Sequence, residues 1–213
     1  AKLVADLISA AGADRVLTMD LHAPQIQGFF NIPVDHLLGG TYLAQYYLEK
    51  FPQRSDLVVV SPDLGSVTRA RNFASKLDVP IAIIDKRRPK PNVAEVMNII
   101  GNVEGKTCIL IDDMIDTAGT LSIVVKTLKE RGAKTVRACC THALLSGAAI
   151  ERLNSAPLEQ LVVTNTTELT KEKKAIKNLV VLSVAQLLGR GILNIIDDKP
   201  VSDLFVYNKP ENF

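Results

Sequence analysis

The sequence predicts an α/β fold built around a mainly parallel sheet. Short apolar runs recur along the chain, and most are continuously apolar, as expected of strands that are covered on both faces. Segments with helical periodicity separate these runs, which is the pattern of successive βα units. The length of 213 residues, with 47% hydrophobic and 23% charged residues, suits one large domain or one and a half.

The elements follow from these patterns in chain order. Each predicted strand is an apolar run bounded by turn residues, and each predicted helix has apolar residues three or four positions apart. The predicted strands are residues 15–19, 57–60, 80–84, 107–111, 135–140, 160–163 and 179–182. The predicted helices are residues 2–11, 41–50, 67–77, 121–131 and 147–152. Gly132 follows the fourth helix, where a glycine commonly ends a helix.

The composition excludes several classes of partner. A formal net charge of +2 gives no polyanion signal, so nucleic acid is not expected. No run of about 18 apolar residues occurs, so no membrane span is expected. Cys108, Cys139 and Cys140 lie in apolar segments without metal-ligand spacing, which predicts reduced core thiols and a cytoplasmic protein. The chain opens within a helical pattern and without methionine, so we expect upstream sequence to be missing.

Two segments interrupt the βα rhythm. Residues 85–92, DKRRPKPN, hold four basic residues and two prolines directly after a strand. They predict an exposed, mobile, cationic loop, which either binds an anion or is only solvated. Residues 193–213 form a polar tail with scattered apolar residues and a weak helical signal.

Polar side chains follow four of the predicted strands. Ligands of open α/β sheets bind outside the carboxyl ends of the strands, so these side chains are expected to share one crevice. They are Asp20 and His22 after the first strand, residues 61–66 after the second, residues 85–88 after the third, and Asp112 and Asp113 after the fourth.

The segment CILIDDMIDTAGTL, residues 108–121, is the most informative of these. Its loop offers backbone N–H groups, two hydroxyls and a helix N-terminus, which are suited to a phosphate. Burial of Asp112 and Asp113 without partners would be costly, so at least one should face the pocket. The segment predicts a pocket for a phosphorylated sugar. The loop residues are Asp116, Thr117, Ala118, Gly119 and Thr120.

Other polar positions keep two interpretations. Asp63 either caps the following helix or holds hydrated Mg²⁺, and His22 is either a metal ligand or an ordinary histidine. Gly39 and the adjacent Gly40 either permit close backbone approach or, as we favour, only form a turn. His36 and His142 have no supporting spacing and receive no catalytic role.

Four segments in this order resemble the ribose-phosphate pyrophosphokinase family over essentially the whole chain. The fourth segment alone is typical of the wider phosphoribosyltransferase fold, whereas the other three are specific to the pyrophosphokinases. The segments are DLHAPQIQGFF (20–30), SPDLGSVTRAR (61–71), IDKRRPKPN (84–92) and CILIDDMIDTAGT (108–120).

This resemblance implies transfer of the pyrophosphoryl group of Mg-ATP to the C1 hydroxyl of ribose 5-phosphate, which gives phosphoribosyl pyrophosphate and AMP. It implies that residues 116–120 hold the 5-phosphate and that Asp112 and Asp113 hold the ribose hydroxyls, either directly or, for one of the two acids, through a metal. His22 and Asp63 would bind Mg²⁺. The catalytic cations would be Lys86 and Arg88, on a loop that closes over the site.

The resemblance also implies an architecture: a parallel-sheet, phosphoribosyltransferase-like (type I) fold with one complete domain and part of a second, similar one. Residues 1–46 would be the C-terminal part of the first domain, residues 47–195 the second domain, and residues 196–213 a tail that returns to the first. Most of the N-terminal domain, with its adenine contacts, would lie upstream, so the fragment alone is expected to be inactive.

The family further implies a homo-oligomer, a hexamer, regulated by ADP and phosphate. Candidate regulatory residues by this resemblance are Gln27, Asp35, Ser202 and Phe205. Two alternatives remain: a phosphoribosyltransferase, which would share only the fourth segment, and a non-catalytic regulatory subunit, which would tend to lose the metal ligands or the loop cations.

Overall fold

The computed structural model of the protein describes residues 1–87 and 96–205. The strands in this part are β1 Val16–Met19, β2 Val34–Leu37, β3 Leu57–Ser61, β4 Ile81–Arg87, β5 Val96–Ile100, β6 Thr107–Ile115, β7 Thr135–Ala143, β8 Gln160–Thr164 and β9 Leu179–Leu182. The α-helices are α1 Lys2–Ala10, α2 Gly39–Lys50, α3 Val67–Leu77, α4 Gly119–Glu130, α5 Ala149–Ser155, α6 Lys171–Lys174 and α7 Ala185–Ile196. Two 3₁₀ helices span Pro24–Phe29 and Val201–Phe205.

A seven-stranded sheet with the order β5-β4-β3-β6-β7-β8-β9 forms the centre of the fold. Its neighbouring strands are parallel, except that β5 runs antiparallel to β4. The chain passes from β3 outward to β4 and later returns to β6 on the other side of β3. The strand order therefore reverses between β3 and β6, and a ligand crevice is expected at their carboxyl ends.

Both faces of this sheet are buried. Leu57 and Val59 pack on one face with residues of α2 and α3, such as Tyr47. Val58 and Val60 point to the other face, where residues of α4 and α5 cover them. Because most buried positions on both faces are apolar, the strands appear in the sequence as nearly continuous apolar runs. The prediction of an α/β fold with a mainly parallel sheet is confirmed.

A two-stranded parallel sheet of β1 and β2 lies beside the larger one. Helix α7 contacts it closely, since a Cβ added at Gly191 would lie 3.1 Å from Leu17 Cδ2. The 3₁₀ helix Val201–Phe205 also packs against β2. Helix α2 runs across the predicted boundary at residues 46 and 47 and buries Leu43 in the core of the larger sheet. The division into domains stays a prediction.

Several elements differ from the sequence-based expectations. Strand β4 continues to Arg87 and pairs with β5, so the exposed loop does not begin at Asp85, which is buried. The rest of the expected loop, residues 88–92 with Arg88, lies outside the described residues. Strand β6 continues to Ile115, so Asp112 and Asp113 are strand residues and do not follow the strand. No strand was expected at β2 or β5.

Helix α7 was also not expected, because two glycines lower the helix propensity of its sequence by about 1 kcal/mol each. The contact of Gly191 with the smaller sheet accounts for one of them. None of the helices in the described part of the chain is both long and apolar enough to cross a membrane.

The two sheets are joined at the end of β1. His142 Nε2, on β7, donates to the carbonyl oxygens of Met19 and Asp20 at 3.1 Å each, and the Thr141 hydroxyl donates to the Asp20 carboxylate. Asp20 has a φ of 41°, which is uncommon for a residue other than glycine. These bonds hold the turn that leads to His22.

Gly39, the first residue of α2, packs directly against this joint. A Cβ added there would meet the Thr141 hydroxyl and would lie 2.8 Å from Asp20 Oδ2, whereas one added at Gly40 would meet nothing within 4 Å. The preferred interpretation of both glycines as turn residues was therefore wrong for Gly39, which is needed for close approach.

We predict that Gly39→Ala lowers the free energy of unfolding by about 1–3 kcal/mol, because the added methyl group overpacks the joint. Gly40→Ala is the matched control on the same helix, and its stability should be equal or slightly higher, since alanine favours the helix. Urea unfolding of the two variants measures the difference. Equal stability of the two would contradict the proposed close packing.

Candidate active site

A pocket of about 220 Å³ lies at the carboxyl ends of β3 and β6, where the strand order reverses. It is lined by residues after β3, by the end of β6 and by the first turn of α4. The lining residues that the sequence predicted as site residues are Asp63, Asp112, Asp116, Thr117, Ala118, Gly119 and Thr120. The structure thus brings together the predicted phosphate loop and two of the predicted acids.

The loop before α4 is suited to an anion. Helix α4 begins at Gly119 and not at the predicted Leu121, so Gly119 and Thr120 belong to its first turn. Its N-cap residue, Ala118, has a left-handed conformation with φ 56°, and no described side chain caps the helix. The N–H groups of a first helical turn have no partner within the helix, and together with the helix dipole they favour a bound phosphate.

Two side chains from the segment after β7 hold this loop. The Ser146 hydroxyl donates to the Asp116 carboxylate, and the Ser146 N–H donates to the Asp116 carbonyl at 3.0 Å. Arg152 Nη1, on α5, donates to the Thr117 carbonyl at 2.8 Å. These hydrogen bonds fix the loop to the segment that follows β7.

Asp113 is buried, with 2% of its surface exposed. His22 Nδ1 donates to its Oδ2 at 2.7 Å, and Arg69 Nη1 lies 3.3 Å from its Oδ1. The sequence predicted that Asp113 holds ribose hydroxyls, but both of its oxygens are engaged by protein cations or donors. In the structure these contacts hold the His22 ring against Asp113, and the binding of ribose hydroxyls by Asp113 stays a prediction.

Asp112 is the acid of this pair that faces the pocket, with a third of its side chain exposed at 33%. Arg69 Nη1 donates to its Oδ1 at 2.9 Å, and the Asp113 N–H donates to the same oxygen at 3.0 Å. The expectation that at least one acid faces the pocket agrees with this geometry.

The pKa values of the two carboxylates are shifted in opposite directions. Burial, followed by the side-chain hydrogen bond with the Asp113 carboxyl, raises the pKa of Asp112 to about 7, although the charge of Arg69 and the backbone N–H of Asp113 oppose the rise. Burial also acts to raise the pKa of Asp113, but its hydrogen bonds with His22 and Asp112 and the charge of Arg69 hold that pKa below its ordinary value. A proton taken up by the pair therefore resides on Asp112.

His22 and Asp63 fit the predicted metal site in their donor chemistry. The bond from Nδ1 to Asp113 leaves Nε2 of His22 available on a side chain that is 72% exposed, an arrangement typical of metal-binding histidines. Asp63 Oδ1 accepts the Ser66 N–H at 2.8 Å, so this carboxylate does cap the turn before α3. In the described part of the chain, no three His, Cys, Asp or Glu residues group closely enough to hold a metal by themselves. Mg²⁺ needs only one or two carboxylates when phosphate oxygens complete its shell.

The predicted catalytic cations are only partly described. The backbone of Lys86 lies in β4, opposite Met97 of β5, and the position of its side chain is outside the description. Arg88 lies outside the described residues.

Three of the predicted regulatory residues, Gln27, Asp35 and Ser202, are not among the residues that line the pocket. Asp35 accepts from Arg15 Nε at 2.6 Å. Gln27 Nε2 lies 3.1 Å from His36 Nδ1, and the Leu21 N–H donates to His36 Nε2 at 3.0 Å. Ser202 is exposed in the last 3₁₀ helix, which also contains the backbone of Phe205.

Sequence reasoning missed the residues that support the site. They are Arg69, His142, Ser146 and Arg152. His142 received no role, although it holds the turn before His22. Arg69 lies within one of the four characteristic segments, which was the available signal for it. The other three bind backbone carbonyls or a neighbouring carboxylate and leave no sequence spacing to detect.

Comparison with known proteins agrees with this geometry. The model of the family described as "Phosphoribosyl transferase domain" matches residues 37–159, more than half of the chain. The chain belongs to the phosphoribosyl transferase family.

The chain is also similar to curated ribose-phosphate pyrophosphokinases. The chain is 64% identical to the ribose-phosphate pyrophosphokinase of Clostridium perfringens over 206 residues, which are 96% of this chain and 64% of that protein. It is 61% identical to the ribose-phosphate pyrophosphokinase of Bacillus caldolyticus over 205 residues, which are again 96% and 64%. The chain therefore spans just under two thirds of the length of these relatives.

One solved structure has the same fold as this chain. It is the phosphoribosylpyrophosphate synthetase from Mycobacterium smegmatis, with a TM-score of 0.84 and 44% identity, and the match covers 92% of this chain and 63% of that one. The resemblance to the ribose-phosphate pyrophosphokinases that four sequence segments indicated is confirmed.

We predict that Asp112→Asn stabilises the protein at pH 8 by about 1–2 kcal/mol and much less at pH 5. The folded-state pKa of Asp112, about 7, lies above that of the unfolded chain. The neutral acid therefore stabilises the fold at low pH, and this contribution is lost as the pH rises through about 7. Solvent screening at the partly exposed side chain keeps the effect below the full shift.

Urea unfolding of the unsubstituted protein and of the Asp112→Asn variant at the two pH values measures this dependence. Asp203→Asn, at an exposed position of the tail, is the control for the removal of a carboxylate that does not line the pocket. A stabilisation by Asp112→Asn that is equal at both pH values would contradict the raised pKa.

Proposed function

We propose that the chain carries the ribose 5-phosphate site of a ribose-phosphate diphosphokinase. The enzyme would transfer the pyrophosphoryl group of Mg-ATP to the C1 hydroxyl of ribose 5-phosphate. One observation carries the proposal: a single pocket is lined both by an uncapped helix N-terminus and by Asp112, the neighbour of the Asp113–His22 pair. The names and identities of the relatives support the same reaction.

The sugar would lie along the pocket with its 5-phosphate at residues 116–120. The N–H groups of the loop and the hydroxyls of Thr117 and Thr120 would donate to the phosphate oxygens. Asp112 would accept hydrogen bonds from ribose hydroxyls, since it is the acid that faces the pocket. Asp113 would act indirectly, because its oxygens are bound to His22 and Arg69.

His22 and Asp63 would hold Mg²⁺ together with phosphate oxygens of the nucleotide. The ion, when bound, would neutralise charge on the transferring group. His22 would present Nε2, while Asp113 keeps its ring oriented. Asp63 would contribute a carboxylate oxygen from a turn that its own Oδ1 already stabilises.

The reaction would need little covalent participation by the protein. The C1 oxygen of the sugar would form a bond to the β-phosphorus of ATP, the bond from that phosphorus to the α,β-bridging oxygen would break, and AMP would leave while the hydroxyl proton is released. Chemistry of this type depends on positioning and charge stabilisation. Lys86 and Arg88 would supply positive charge and help exclude water.

The wider setting rests on the family resemblance. We propose a cytoplasmic homo-oligomer, a hexamer, with ADP and phosphate as effectors acting near Gln27, Asp35, Ser202 and Phe205. The adenine contacts would come from the part of the relatives that this chain does not span.

The deciding experiment incubates the full-length protein with ATP, Mg²⁺ and ribose 5-phosphate and measures AMP and phosphoribosyl pyrophosphate. Equal amounts of the two products are expected. Consumption of added phosphoribosyl pyrophosphate with a nucleobase would instead identify a phosphoribosyltransferase. Absence of either reaction, with retained binding of an active relative, would identify a regulatory subunit.

We predict that Lys86→Ala in the full-length protein lowers kcat by about 10²–10³, by analogy with the loss of a preorganised donor to the transition state. Binding of ribose 5-phosphate should survive, because the lysine would act mainly on the transferring group. Steady-state kinetics and calorimetric binding measure the two effects. Lys50→Ala, at the exposed end of α2, is the control. A parallel loss of sugar binding in Lys86→Ala would show that Lys86 contributes to ground-state binding of the sugar and would contradict the prediction.

A further inference from the structure

We infer that Arg152 is a positioning residue for the sugar 5-phosphate, which it serves by orienting the Thr117–Ala118 peptide of the phosphate loop. The inference rests on the proposed function, because it assigns a supporting residue to the same pocket. Arg152 is an exposed arginine on α5 and lies outside the segments that indicated the family.

The contact between Arg152 and the loop is direct. Nη1 donates to the Thr117 carbonyl at 2.8 Å. The same nitrogen would lie 3.6 Å from a Cβ built on Gly119. The guanidinium group is therefore placed against residues 117–119, at the start of α4, and is not merely directed into solvent.

This contact fixes the direction of an N–H group. The Thr117 carbonyl and the Ala118 N–H belong to one planar trans peptide, and in such a unit they point in opposite directions. When Arg152 draws the carbonyl toward α5, the Ala118 N–H is turned away from α5. Ala118 lines the pocket, so its N–H becomes one of the donors available to a phosphate.

The loop needs such a restraint because of its backbone conformation. Ala118 has φ 56° and ψ 14°, a left-handed conformation that persists in a residue other than glycine only when its surroundings hold it. Ser146 restrains Asp116, two residues before Ala118, through its bonds to the carboxylate and the carbonyl of that residue. Arg152 restrains the Thr117–Ala118 peptide, so the two contacts together hold the backbone that leads into Ala118.

A preformed anion site binds its anion more tightly than a flexible one. Donors that already point at the ligand lose little conformational freedom on binding, and a hydrogen bond to a charged group contributes more than one between neutral groups. Loss of the Arg152 contact should therefore weaken binding of the sugar phosphate and leave the nucleotide and the chemical step largely unaffected.

The test uses the full-length protein with Arg152→Met, which removes the donor, and Arg152→Lys, which retains a charge and a donor. For Arg152→Met we expect the KM for ribose 5-phosphate to rise about tenfold, with kcat and the KM for ATP changed less than about twofold. Arg152→Lys should recover a substantial part of the loss. Arg54→Met is the matched control, because Arg54 Nη1 also donates to a backbone carbonyl, that of Phe51. Arg54 lies between α2 and β3 and does not line the pocket.

The outcomes separate this inference from the proposed function. If the unsubstituted protein makes no AMP, the proposed function fails, whatever the variants do. If it is active and Arg152→Met keeps the KM for ribose 5-phosphate, Arg152 is an ordinary surface arginine and the inference is overturned. A parallel rise of both KM values, with a lower melting temperature, would show a structural role only and would also overturn it.

Discussion

The Asp113 carboxylate is buried, and the arrangement of the candidate site depends on how its charge is compensated. An unpaired buried carboxylate would cost several kcal/mol, and the removal of one partner from a buried pair is strongly destabilising. Its partners come from two other places in the fold, His22 from the turn after β1 and Arg69 from α3. Satisfying this one charge therefore requires that the smaller sheet, the helix and β6 meet at the pocket.

Asp112 shows the opposite solution one residue away. It also contacts Arg69, but it faces the pocket and its pKa is raised to about 7. In the folded protein the charge of Asp113 is thus fully compensated by its partners, whereas the charge of Asp112 is not. Residues that are unfavourable for stability are expected where a ligand is to be bound, since function and stability compete at such positions. The contrast between the neighbouring acids is consistent with a structural role for Asp113 and a ligand-binding role for Asp112.

The sequence predicted the elements whose signals are local. Strands that are buried on both faces were found because every residue of the run is apolar, as in β3. The phosphate loop was found because its residue types suit an anion at a helix start. Strand β5 and helix α7 were missed because tertiary contacts stabilise them: β5 pairs with a charged strand, and α7 contains two glycines. The need for Gly39 was missed for a related reason, because the atoms that crowd it come from Thr141 and Asp20, far away in sequence.

The supporting residues were missed for a further physical reason. The end of β7 and the segment after it supply two restraints of the site that act on backbone carbonyls: His142 holds the turn before His22, and Arg152 holds the phosphate loop. Each of these side chains donates to backbone carbonyls. Every residue has a backbone carbonyl, so the residue type at the accepting position does not reveal the contact. Only the donor residues could be recognised in the sequence. A single histidine or arginine is compatible with many roles, so its presence alone does not indicate this one. Ligand-contacting residues are therefore visible in a sequence as a motif, whereas the residues that fix the motif in place become visible only when the strands are assembled.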